Sequence, residues 1–120
     1  MSDFRFENLN IWKESISISN VLFDIAENAE KIKHYRFAEQ LRGAAISISN
    51  NIAEGSGSFS KKEFASFLNI ARRSLFESAN ILFIFELRKI ISFEERSMLY
   101  SRLIVLSKQI TNFRKSLLTQ

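Results

Sequence analysis

The sequence predicts an all-α fold, an antiparallel up-down-up-down four-helix bundle, and three observations carry that prediction. Helix breakers are nearly absent, with no Pro and three Gly in 120 residues, a composition that favours uninterrupted helices. Ser60-Lys61-Lys62-Glu63 and Ser92-Phe93-Glu94-Glu95 each place a Ser three residues before a Glu, the pattern in which hydroxyl and carboxylate reciprocally cap a helix start. Leu99, Leu103, Leu106, Ile110, Phe113 and Leu117 then recur at alternating spacings of four and three, a heptad seam. Residues 1–120 read as a single domain, long enough to bury roughly two-thirds of its unfolded surface.

The first helix is placed at about residues 8–30. Leu9, Trp12, Ile16, Phe23 and Ala26 follow a helical spacing interrupted by Ser19 and are assigned to the core. Ile11, Ile18, Leu22 and Ile25 form a second apolar stripe about 120° away. The second helix is placed at 34–55, with Phe37, Leu41, Ala45, Ile48 and Ile52 on one face, and it stops at Gly55-Ser56-Gly57-Ser58. The third is placed at 60–90, with Phe64, Phe67, Ala71, Leu75, Ser78, Leu82 and Phe85 facing the core. Phe76, Phe83 and Leu87 lie roughly opposite, so this helix is apolar on two sides. The fourth is placed at 92–118 and carries the heptad seam. Helices of about 22 to 30 residues, each about 33–45 Å long, joined by short loops make antiparallel neighbours.

The second helix also carries a polar strip about 60° wide beside its apolar face: Gln40, Ser47, Asn51 and Glu54, with Ala44 at its edge. Ser and Asn compete with helix hydrogen bonds, so their recurrence in register implies a use. If this strip meets Ser74 and Glu77 of the third helix, the six residues form an interhelical polar network, with Arg42, Arg72 or Arg73 as counter-ions. Such a network fixes register and partner choice. Acid–base work by Glu54 and Glu77 is the weaker alternative.

Chemistry is otherwise sparse. With no Cys, disulfides and thiolate metal sites are excluded. His34 is the only histidine, so the paired Glu-x-x-His ligands of di-iron bundles cannot be assembled. Gly55-Ser56-Gly57-Ser58 lacks the Gly-Lys-Ser/Thr ending of a phosphate loop, and no serine has a positioned base. No catalytic residue, metal, cofactor or small-molecule substrate is assigned, and the chain is read as a non-enzyme. The opening residues do not resemble a signal peptide, and the longest uncharged run, residues 43–53, is too short and polar to span a membrane. A cytoplasmic location is expected.

The net charge of +4 is unevenly placed. Residues 1–60 hold six basic and eight acidic groups, a balance of −2, whereas residues 61–120 hold eleven basic and five acidic, a balance of +6. That asymmetry admits a polyanion partner. The candidate nucleic-acid contacts are Lys61, Lys62, Arg72, Arg73, Arg88, Lys89, Arg102 and Lys108. A bundle of four leaves the second apolar stripes uncovered, so self-association is expected, with Ile11, Ile18, Leu22, Ile25, Phe76, Phe83 and Leu87 as the candidate subunit interface.

Several of these residues together resemble a known signature. Gln40-Leu41-Arg42, Ala44-Ala45, Ser47-Ile48 and Asn51-Ile52-Ala53-Glu54-Gly55 are similar to the motif of small bacterial four-helix-bundle proteins named for intervening sequences in large-subunit ribosomal RNA genes. Lys62-Glu63-Phe64 with Phe67-Leu68, Ile70-Ala71 with Ser74-Leu75 and Glu77, and Phe6, Leu9 and Trp12 extend the resemblance over nearly the whole chain. It departs at Arg73, where the family usually has Gly, and at Gly43, where a second basic residue is frequent. The resemblance implies a homopentamer of four-helix bundles without established enzymatic activity. It also implies a link to RNA, through gene context and through a distantly similar RNA-binding accessory protein of retroelements. The expected function is therefore an RNA- or ribonucleoprotein-associated binding module acting through helices three and four. A structural or protein-interaction scaffold without nucleic-acid binding is the alternative.

Overall fold

The computed structural model describes residues 3–119. A short 3-10 turn, Arg5–Asn8, leads into α1 (Asn10–Lys31), α2 (Tyr35–Ser56), α3 (Lys61–Leu87) and α4 (Phe93–Leu118). Cross-helix pairs fix the directions. Phe37 meets Phe85, Ser47 meets Ser74 and Gly55 lies against Phe67, so α2 and α3 are antiparallel. Tyr100 bonds to Ala79 and Arg114 to Ala65, which makes α3 and α4 antiparallel. Ser19 reaches Ala45 while Glu30 reaches Arg42, and α1 and α2 follow the same rule. Consecutive helices are neighbours around the bundle, and α4 closes against α1. The body measures 47 × 24 × 23 Å. No described helix is long and apolar enough to cross a membrane.

The starts of α3 and α4 follow from their caps. Ser60 Oγ accepts from the Glu63 amide at 3.0 Å. At α4 both halves of the box are made, the Glu95 amide donating to Ser92 Oγ at 3.1 Å and the Ser92 amide to Glu95 Oε1 at 3.2 Å. The seam of α4 packs as its spacing predicts, with Leu99, Leu103, Leu106, Ile110 and Leu117 buried. Phe113, half-buried, sets its ring edge-on to Phe64 at 5.4 Å.

The ends of α1 and α3 share one device. The His34 amide returns to the Ala29 carbonyl and the Lys33 amide to Glu30; the Ile90 amide returns to Phe85 and the Lys89 amide to Glu86. Both are Schellman closures, in which the residue past the cap adopts a left-handed backbone. Lysine fills that position twice, with Lys33 at φ 70° and Lys89 at φ 61°, where glycine is usual. Without a glycine to mark the stop, the sequence extends the third helix to residue 90; the chain in fact turns at Lys89 and folds Ile91 back into the core.

The two stripes of α1 exchange roles. Ile11, Ile18, Leu22 and Ile25, expected at a subunit interface, are buried inside this chain with Ala26 and Ala29. Leu9, Trp12 and Phe23 are only partly covered, and Ile16 is 41% exposed. The cause is Ser15 and Ser19. Both are buried on the Ile11–Ile25 face, where polar residues disguised a heptad. Ser15 Oγ donates to the Trp12 carbonyl at 2.7 Å and Ser19 Oγ to the Ala45 carbonyl of α2 at 3.2 Å. With its hydroxyl paired, a buried serine is a small residue that lets helices approach.

Candidate functional site

The polar strip resolves into three residues and a directed chain of hydrogen bonds. Asn51 Nδ2 donates to the Ser47 carbonyl at 2.7 Å and to Ser47 Oγ at 3.0 Å. Ser47 Oγ lies 2.7 Å from Ser74 Oγ, and Ser74 Oγ in turn donates to the Ile70 carbonyl at 3.1 Å. Either hydroxyl can donate across the 2.7 Å contact, and a Ser74 proton given to Ile70 makes Ser47 the donor. The chain runs from α2 to α3 with every hydroxyl both donating and accepting. It joins two helices, the arrangement of a register-fixing contact.

Gln40, Glu54 and Glu77 are not part of it. All three are exposed. Gln40 borders an open hollow with Tyr35, Arg36 and Glu39, while Glu54 stands beside the N-terminal residues Asp3–Phe6. Their angular position on the helix is as expected, but their side chains leave the seam for solvent. The expected counter-ions also turn elsewhere. Arg42 forms a two-pronged bond with Glu30, Nη1 to Oε2 at 3.0 Å and Nη2 to Oε1 at 3.3 Å. Arg73 is exposed, and the Arg72 guanidinium lies 4.7 Å from the Phe76 ring centroid.

The Arg42 hydrogen bond, and then its charge, holds the Glu30 carboxyl below its ordinary range and raises Arg42. A carboxyl whose pKa is lowered by folding stabilises the fold above its unfolded value, and that contribution disappears as pH falls through the folded value. Glu30→Gln should therefore lower the denaturation midpoint near neutral pH by a small amount, since the pair is partly exposed. The difference from the parent should vanish in acid, which denaturant titrations between about pH 7 and about pH 3 will read.

Of the eight candidate cations, Lys61, Lys62, Arg73, Arg88, Lys89 and Lys108 are exposed. Arg102 is committed within the fold: it bonds to Glu14 Oε1 of α1 at 3.0 Å and to Ser17 Oγ at 2.9 Å. Lys61 and Lys62 begin α3 whereas Arg88 and Lys89 follow its end, about 40 Å away at 1.5 Å per residue. The cations that do converge are Arg72 and Lys108, which line two adjoining hollows between α3 and α4.

Phe76, Phe83 and Leu87 are 54%, 45% and 69% exposed on the outer side of α3. Their surroundings include a cluster that sequence reasoning missed. Arg96, on the first turn of α4, is bonded to Glu86 and faces the rings of Phe83, Phe93 and Tyr100 at 5.3, 5.4 and 4.7 Å. The Glu86 hydrogen bond raises the Arg96 pKa further. The spacing Phe93–Arg96–Tyr100 was the available signal, since residues three and four apart share a helix face. Among the described residues, no group of three or more His, Asp or Glu side chains is placed to hold a metal ion.

No curated protein matches the sequence. Residues 7–112 match the family described as 23S rRNA-intervening sequence protein, a span that includes α1, α2, α3 and most of α4. With the four-helix bundle and that match together, the chain belongs to the 23S rRNA-intervening sequence protein family.

Proposed function

We propose that this protein is a non-enzymatic, oligomeric binding module of the cytoplasm, associated with RNA or a ribonucleoprotein through basic side chains of α3 and α4. The observation that carries the reading is the charge of the second half of the chain, eleven basic groups against five acidic, with Lys61, Lys62, Arg73, Arg88, Lys89 and Lys108 exposed. Family membership supports it by the tie to 23S rRNA in the family's description. Because these cations are spread along α3 and α4, one chain offers several weak phosphate contacts rather than one groove. Repetition in an oligomer makes them additive. The exposed Phe76, Phe83 and Leu87 favour self-association, and a monomeric mass by light scattering at micromolar protein would argue against it.

The test is the salt dependence of binding to a structured RNA. Affinity should fall linearly on logarithmic axes as salt rises. A Lys62→Ala, Arg73→Ala, Arg88→Ala variant should lower the slope by about one per chain for each contact removed. Absence of binding at about 50 mM salt would eliminate the reading. The same exposed aromatic stripe supports a second reading, a protein-interaction scaffold, for which a co-purifying protein should persist after nuclease treatment.

A further inference from the structure

Between α3 and α4 lies a groove of about 360 Å³, floored by Leu75 and Leu103 and bordered by Phe76, Tyr100 and Ile104. The Tyr100 hydroxyl donates to the Ala79 carbonyl at 2.8 Å, so the tyrosine's polar group is already occupied. Arg72 and Lys108 also line the groove. With Ser107, the same two cations line a second hollow of about 330 Å³, whose remaining walls are Thr111 and Asn112. An almost wholly apolar compartment thus adjoins one that holds two cations, neutral hydrogen-bonding side chains and no carboxylate. Arg72 lines both hollows with its guanidinium 4.7 Å from the Phe76 ring centroid, and its Nε is buried and without a hydrogen-bond partner. The two cations with no carboxylate between them make the second hollow complementary to an anion, which charge-assisted hydrogen bonds would hold.

We propose that the two hollows form one site for a free, single-chain amphiphilic monoanion, such as a medium-chain carboxylate. The alkyl chain lies in the groove, which runs about 10 Å along α3 from Arg72 to Ala79. The headgroup lies between Arg72 and Lys108. The volume falls within the range of small-ligand sites, which are mostly apolar with a few placed polar groups. A nucleobase fits this lining poorly, because its polar edges would meet carbon walls, and unpaired polar burial is unfavourable. The site shares Arg72 and Lys108 with the candidate nucleic-acid contacts, but the RNA test leaves both unchanged, so the two readings can fail separately.

Calorimetric titration of the full-length, assembled protein with decanoate below its micelle concentration tests the proposal. One saturable site per chain is expected, with 1-decanol and decyltrimethylammonium at least about tenfold weaker, as loss of a charge-assisted contact implies. Arg72→Met and Lys108→Met should each weaken decanoate by about tenfold or more while the helical circular dichroism stays unchanged. Ile104→Glu, a substitution at a half-exposed position, should abolish binding by placing a carboxylate against the chain. Equal affinity for the three amphiphiles, no saturable binding, or decanoate binding that survives in the Arg72→Met, Lys108→Met double variant would overturn it. So would Arg72-dependent binding of a nucleoside monophosphate without decanoate, or binding to phosphatidylglycerol vesicles without the free acid.

Discussion

Gly55→Ala is expected to destabilise the bundle by about 2 kcal/mol, although alanine is the better helix former. Gly55 is buried in the last turn of α2. A Cβ there would lie 2.7 Å from Phe67 Cβ and 2.8 Å from Phe64 Cδ1. The first of these atoms is fixed to the α3 backbone, so no rotamer change removes the clash and the helices must separate. Gly43, exposed on the same helix, has nothing within 4 Å of an added Cβ. Gly43→Ala should therefore stabilise, by about 0.5–1 kcal/mol, by restricting the unfolded chain and favouring helix. Opposite shifts of the urea midpoint check the pair, and equal shifts would refute the close α2–α3 approach.

Phe85→Ala should cost about 3–5 kcal/mol, a large share of a typical domain's stability. Phe85 is fully buried and meets Phe37 edge-on at 6.1 Å between ring centroids, a pairing that adds to its area burial. Its carbonyl also accepts the Ile90 amide at 2.8 Å, within the turn that ends α3. Truncation leaves a cavity beneath that turn. Phe83→Ala, two residues away but 45% exposed, should cost less than about 1 kcal/mol. Denaturant unfolding of both variants decides whether burial, rather than residue type, sets the effect.

The helices were legible because their signals are local. Ser60 and Ser92 announce two starts, and the Leu99–Leu117 seam announces its own buried face. The α1 stripes were not, because Ser15 and Ser19 count as polar by type but are buried with their hydroxyls paired. The helix wheel likewise placed Gln40, Glu54 and Glu77 beside Ser47, Asn51 and Ser74. Angle alone does not tell which side chains are short enough to stay in the seam. Arg102 read as a free cation because its partner Glu14 lies 88 residues away. The groove at Arg72 and Lys108 was equally hidden, since each helix supplies only half of its lining.

We propose that the polar strip of α2 is structural and that RNA contact belongs to the exposed cations of α3 and α4. One comparison tests it most directly: the slope of RNA affinity against salt for Ser47→Ala and for the Lys62→Ala, Arg73→Ala, Arg88→Ala variant. Ser47→Ala should unfold at lower denaturant, by about 1 kcal/mol, yet bind RNA with the parent's affinity and slope. The triple variant should keep its stability and lose slope. A folded Ser47→Ala protein that no longer binds RNA, beside a triple variant that binds as the parent does, would contradict the account.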